Sequence, residues 1–302
     1  GHLHTAMKPS HMAELQSFHA EAQRRGMGDQ IELLDRNGVA RHLQSPLYLG
    51  GLKNMRNLHL HPLNLCLGEA RAAHAMGALI FENSEVLDIV HGPRPAVVTA
   101  QGRIEARQVM LAGDVYHKLE KRQLKGKIFP AMGGIVTTAP LGELAEQINP
   151  EDLAVYDCRF GLDYYRLTAD KRLLFGGGAN YSGKDSRDSA GELRPCIERT
   201  FPALKGVPIE FQWSCAMGIV VNRIPQLGKL SENVWYCQGY SGHGVATSHI
   251  MGEIMAEAVT GTLEKFDTFA GCKHVKVPIG DLLGNPLLAA GMWYYQMLEK
   301  LR

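Results

Sequence analysis

The chain has 302 residues, 45% apolar and 21% charged, enough to bury one large core or two moderate ones and too apolar for a mainly disordered polymer. Its 32 basic residues are offset by 31 acidic ones, for a net charge of +1. Both signs are scattered, so no basic stripe is available to track a phosphate backbone, and nucleic acid is not an expected partner. No apolar run approaches the roughly 18–20 residues that span a bilayer, so the expectation is a cytoplasmic protein with no membrane partner.

In chain order, Ser10 is placed to cap a helix carrying Met12, Leu15 and Phe18 that ends near Gly26. Loop chemistry follows, with Pro46, Gly50, Gly51 and Pro62 in residues 46–62, and Leu63, Leu67, Ala70, Ala73 and Ala75 then suggest a second helix, interrupted by His74 and stopped by Gly77. Residues 78–81 and 86–90 read as strands. Residues 96–112 read as a hairpin turning at Gln101-Gly102-Arg103 and ending on an apolar strand, Val109 to Ala112. From about 127 to 225 strand-like pieces dominate, among them 135–138, 164–167 and 172–175, with one helix through Leu193, Ile197 and Phe201. The last third returns to strand, glycine turn and helix: 234–237, then 244–259 closed by Gly261. An amphipathic stretch around Trp293, Tyr294 and Leu298 ends the chain.

The six cysteines lack Cys-x-x-Cys spacing, and they read as buried or incidental thiols in a reducing compartment. His2, His4 and His11, and the pair His59 and His61, could be pictured as ligands, but no carboxylate or third histidine stands at a supporting spacing, and no metal is expected.

The segment that carries chemistry is Gly239-Tyr240-Ser241-Gly242-His243-Gly244-Val245, placed between a strand and a long helix. Its glycines permit positive φ and close backbone approach, and the helix start presents unpaired N–H groups that favour negative charge. A glycine turn before a helix is equally compatible with a purely structural turn. The wording of the wider segment, Trp235 to Val245 followed by Gly252-Glu253-Ile254-Met255-Ala256-Glu257-Ala258, resembles the C-terminal flavin motif of D-amino-acid-oxidase-like FAD oxidoreductases. Tyr164 to Gly178 and Asn222-Arg223-Ile224-Pro225-Gln226-Leu227-Gly228 resemble that family too, and the likeness covers nearly the whole chain.

The resemblance implies an α/β (α+β) fold, with a discontinuous FAD-binding dinucleotide-type domain at 1–125 and 226–302 and an antiparallel-sheet substrate domain at 126–225. It implies non-covalent FAD, with Val86 by the adenine, Ala112 and Gly113 along its middle, and Gly239 to Val245 beside the isoalloxazine. Tyr164, with Arg166 on the same strand face by the period of two, and His243 are the catalytic candidates; core or hairpin packing for Tyr164 and a structural role for His243 remain open. Met217 stands where amino-acid-oxidising relatives such as glycine oxidase present an arginine to the substrate carboxylate, a bidentate contact a thioether cannot make. Met217 and Arg223 are therefore the substrate-binding candidates, with Arg223 the alternative anion contact. The expected partner is a small amine, a polyamine derivative such as gamma-glutamylputrescine, oxidised at its carbon–nitrogen bond.

One departure is large: the opening strand and Gly-x-Gly-x-x-Gly turn of the family have no match in these residues. The expectation is that this turn lies upstream of Gly1, that the first βαβ unit of the FAD-binding domain is missing, and that the 302 residues alone are inactive and hold FAD weakly or not at all. A second reading, of a different class, is a non-catalytic flavoprotein-like fragment or subunit that packs with a partner and binds no FAD itself.

Overall fold

The computed structural model describes residues 1–277 and 284–301. Its centre is an eight-stranded sheet in the order Ile209–Ile219, Phe129–Thr138, Leu173–Asn180, Tyr164–Leu167, Ala154–Asp157, His2–Ala6, Gly50–Asn54, Ile31–Asp35. Every neighbouring pair is antiparallel except His2–Ala6 against Ala154–Asp157, which is parallel. The boundary expected at 125/126 thus cuts through one sheet, because strands from residues 2–54 pair with strands beyond 128. Those three strands were not evident in the sequence. Gly50 and Gly51, read as loop residues, lie in a strand, where a Cβ on Gly50 would meet Leu34 O and Met12 Sδ at 2.5 Å. They permit close approach of strand and helix rather than a turn.

Alternation divides the sheet into two faces. Leu3, Val136, Val155, Tyr165, Leu167, Leu173 and Phe175 form the main core together with Leu193, Ile197 and Phe201, the last three from the helix Ser189–Thr200 and the residue after it. Tyr165 stacks on Phe175 at 5.4 Å between centroids and meets Phe201 edge-on at 5.2 Å. Burial of each such aromatic contributes roughly 1.5–3 kcal/mol. Residues of the alternate set, including Ile135, Thr137, Tyr164, Arg166, Leu174 and Trp213, line an open cleft instead.

A second sheet has the order Gln226–Ser231, Val234–Gln238, Val109–Leu111, the last two strands being parallel. Asp88–Val90, Ala96–Val98 and Arg103–Glu105 make a small antiparallel meander. The expected hairpin is present there, but its apolar end Val109–Leu111 leaves it to join the second sheet. Residues 78–81, read as a strand, are unpaired. Leu79, Ile80 and Phe81 are exposed, and no described strand offers them a ladder.

The first helix runs Pro9–Arg24 with Lys8 as its N-cap and no side-chain cap, so Ser10 lies inside it and Pro9 supplies the preorganised start. Pro62–Ala75 is helical as read and is capped by His61, whose Nδ1 accepts from Asn64 N. Gly244–Val259 and Asn285–Leu301 are helices as well. Among the described residues no helix is long and apolar enough to cross a membrane.

Candidate active site

Two parallel strands of the second sheet deliver the site. Val109 pairs with Val234 and Leu111 with Tyr236, so the chain leaves both strands at the same edge, where cofactors bind in open α/β sheets. From one strand comes Ala112-Gly113, exposed; from the other, fully buried strand comes Gly239 to Val245. Gly239, Ser241 and Gly242 have φ of +82°, +54° and +90°. The turn folds because glycine supplies two of these conformations at no steric cost and Ser241 is tied in place. Ser241 N donates to Gly218 O at 2.9 Å, and its buried Oγ accepts from Val220 N at 3.2 Å.

The two turns are joined by Asp114, whose Oδ1 accepts the Gly239 N–H at 2.9 Å. The same oxygen packs against Gly218, where any Cβ would overlap it. Tyr116 closes the knot, its hydroxyl accepting from Ala216 N at 2.9 Å and donating to Ala216 O at 3.1 Å. Behind the turn, buried Gln238 donates to Gln226 Oε1 at 3.0 Å, and Gln226 donates to Lys127 O at 2.9 Å. None of Asp114, Tyr116, Gln226 or Gln238 was singled out from the sequence. The available signal was a carboxylate directly after an apolar strand and Gly113; the contact itself spans 125 positions.

On the large sheet, the Tyr164 ring lies over Gly176, its cross-strand partner, and a Cβ there would overlap the ring. The Tyr164 hydroxyl and the Met217 methyl converge over Gly133, 3.9 and 3.2 Å from where its Cβ would stand. Burial, and secondarily the nearby Cys215, pushes the Tyr164 phenol up to about 12, so it stays protonated at neutral pH. Met217 leads directly into Gly218, so this pair is continuous with the Asp114 knot.

The remaining residues fall as follows. His243 is exposed as the N-cap of the helix Gly244–Val259 and makes no side-chain cap bond. Arg223 is exposed in a tight turn at φ +61°, its N–H donating to Val220 O. Val86 lies in no strand and is half-buried against the Val109, Leu111 and Tyr236 cluster. His59 Nε2 lies 2.8 Å from Asp152 O, while His2 and His4 both stack on Tyr156. Among the described residues no group of three potential ligands could hold a metal. All six cysteines are free; Cys237 is buried and Cys66 and Cys215 are exposed.

The turn fits a flavin. A Cβ on Gly242 would meet nothing within 4 Å, so the backbone there faces open space at positive φ. The helix Gly244–Val259 begins two residues later, and its first amides have no intrahelical acceptors. This is a cradle for a planar, electron-rich group at a helix N-terminus.

Fold and site together define a flavin-dependent oxidoreductase. Residues 1–258 match the profile of the family described as "FAD dependent oxidoreductase", and the chain belongs to that DAO family. It is 40% identical over 304 residues to gamma-glutamylputrescine oxidoreductase of Escherichia coli (strain K12), covering 100% of this chain and 71% of that protein. It is 33% identical over 308 residues to the probable oxidoreductase OrdL of Haemophilus influenzae, covering 100% and 70%. Among solved structures, glycine oxidase from Geobacillus kaustophilus superposes with a TM-score of 0.77 at 19% identity, over 91% of this chain and 75% of that one.

Proposed function

We propose that the protein oxidises the carbon–nitrogen bond of an amine that bears no carboxylate on the reacting carbon, a polyamine derivative of the gamma-glutamylputrescine kind. The observation that carries this reading is the pairing of Met217 with Tyr164 over Gly133. A carboxylate next to the reacting carbon would need a cation there, and this spot offers a thioether and a neutral phenol. The 40% identity to an oxidoreductase named for such a substrate supports it.

In this reading Ala112, Gly113 and Gly239 to Val245 hold FAD, and Val86 lies toward its adenine end. When bound, FAD supplies hydride acceptance from the carbon beside nitrogen, and the imine of a terminal primary amine hydrolyses to an aldehyde and ammonia. The chain's own work is placement. Tyr164 and Met217 wall the substrate side, and their low polarity favours the neutral amine whose lone pair drives oxidation. His243 and the amides of Gly244 and Val245 stabilise negative charge through the helix N-terminus. Asp114 fixes both turns to the end of the sheet strand that carries Met217.

The test is anaerobic bleaching of the flavin-loaded protein. Gamma-glutamylputrescine should reduce the flavin, and glycine and D-alanine should not. Faster bleaching by either amino acid would overturn the reading.

A further inference from the structure

The open face of the large sheet carries a cleft of about 700 Å³ whose opposite wall includes His61, Pro62 and Leu63. Ile135, Tyr156, Leu174, Phe211 and Trp213 make its floor and sides largely apolar. Two arginines reach into it. Arg172 is already neutralised: it pairs with Asp170 at 2.6 Å and with Glu210, and lies over the Phe211 ring at 5.4 Å. Arg166 is not. Among the described residues it has no carboxylate within ion-pair distance, and its one recorded hydrogen bond runs from Nη1 to its neighbour's carbonyl, Leu167 O, at 2.9 Å. Burial disfavours its charge, and only the field of Asp152, itself exposed and close to His59, offsets this. An arginine keeps its charge nonetheless, and a half-buried cation without a counterion is costly to retain.

A second group in the same cleft has the same deficit. Thr137 is 5% exposed, and its Oγ1 is buried without any hydrogen-bond partner. Arg166, Leu174, Thr137 and Phe211 are successive cross-strand partners in one row of the sheet. Arg166 and Thr137 are thus two strands apart, about 10 Å between backbones, a gap an extended arginine side chain can largely close.

We propose that Arg166 and Thr137 form a carboxylate-binding subsite at the far end of the cleft, so that the substrate is an amine carrying a carboxylate at its opposite end. This rests on the amine-oxidation reading above and adds to it what the enzyme selects. The spacing decides which carboxylate fits. Thr137 lies four residues along its strand from Gly133, where Tyr164 and Met217 converge, which is about 13 Å. A simple α-amino acid, with its carboxylate one carbon from the amine, cannot bridge that distance. Nine extended bonds span about 10–11 Å, and that is the separation of reacting carbon and carboxylate in a gamma-glutamyl diaminobutane. The subsite therefore accounts for both halves of the selectivity: no carboxylate beside Met217, and one far from it.

The experiment uses the flavin-loaded protein and two readouts. Calorimetry with gamma-N-butylglutamine, which has the carboxylate and the length but no terminal amine to oxidise, reports the subsite without turnover. It should bind the wild type, about 10- to 100-fold more weakly to Arg166→Met and about 3- to 10-fold more weakly to Thr137→Val, with Arg166→Lys between wild type and Arg166→Met. Steady-state preference for gamma-glutamylputrescine over N-acetylputrescine should fall by a similar factor in Arg166→Met, through KM rather than kcat. Absence of wild-type binding, or equal binding by wild type and both Arg166→Met and Thr137→Val, would overturn the subsite; unchanged melting temperatures show that the variants are folded. Binding that behaves as expected without bleaching by any amine would leave the subsite standing and sink the reaction.

Discussion

Gly239 and Gly242 share a turn and a left-handed backbone, yet they should fail in different ways when replaced by valine. At both positions a β-branched residue at positive φ costs about 1–3 kcal/mol in backbone strain. At Gly239 the new Cβ would also stand 2.5 Å from Cγ1 of Val220, a residue with no exposed surface. Overpacking adds about 1–3 kcal/mol there. At Gly242 a Cβ meets nothing within 4 Å, so no packing cost arises and the added methyls project into the space assigned to the flavin. Melting the flavin-stripped proteins removes the contribution of bound cofactor. On that scale, where 1 kcal/mol is about 2–4 °C for a chain of this order, Gly239→Val should melt several degrees below Gly242→Val. Flavin content should reverse the order of interest: Gly242→Val folds but loses its visible absorbance. Wild-type flavin content in Gly242→Val would refute the assignment of this turn, and equal melting of the two variants would refute the distinction between open and filled space.

Two further outcomes follow from buried polar groups. Tyr48 and Tyr165 share a buried hydroxyl pair at 2.9 Å; Tyr48→Phe strands the other hydroxyl and should cost about 1–3 kcal/mol, whereas adding Tyr165→Phe should return part of that loss in a denaturant double-mutant cycle. His4 is held down to about 4 from 6.5, mainly by burial. The unfolded chain then binds more protons than the native one between those values, so stability declines as pH falls from about 6.5 toward 4. Replacing His4 with phenylalanine, which can keep the stacking on Tyr156 at 4.2 Å, should flatten that limb in melting curves taken across pH, and an unchanged acid limb would contradict it.

What the sequence made legible was local. The span from Val234 to Val259 needed only an apolar run, the glycines 239, 242 and 244 and a helical stripe, and the structure places its strand and helix at the residues read. The period of two already put Tyr164 and Arg166 on one face. Pairing over long distances was not legible. His2–Ala6 finds its parallel partner at Ala154–Asp157, and nothing within a short window shows that. Residues 78–81 have the composition of a strand, but a strand exists only where another offers hydrogen bonds. Of the two carboxylates on Arg172, Asp170 stands two residues away in the sequence, whereas Glu210 comes from a strand 38 positions on.

The same non-local pairing explains why the candidate site can be accurate. The glycine turn and the Tyr164–Met217 pair, proposed to hold flavin and substrate, belong to different sheets, and a seam between two sheets would ordinarily be free to slide. Here three chain segments lock it. Gly218 follows Met217 near the end of its strand, its carbonyl accepts the Ser241 amide and it packs against Asp114, while Asp114 accepts the Gly239 amide. Gly218 must be glycine for the carboxylate to fit, and Asp114 takes a left-handed φ of +49° to present it. Strain at Asp114 is offset by the backbone contacts it makes possible. The distance from the glycine turn to Met217 and Tyr164 is thereby set before any substrate arrives, which is what orientation-dominated catalysis requires, since placement errors of about 1 Å are costly in rate. In the proposed reading, residues 114, 218 and 241 therefore act on where the reacting groups stand, while Tyr164, Met217 and Arg166 act on which molecule stands between them.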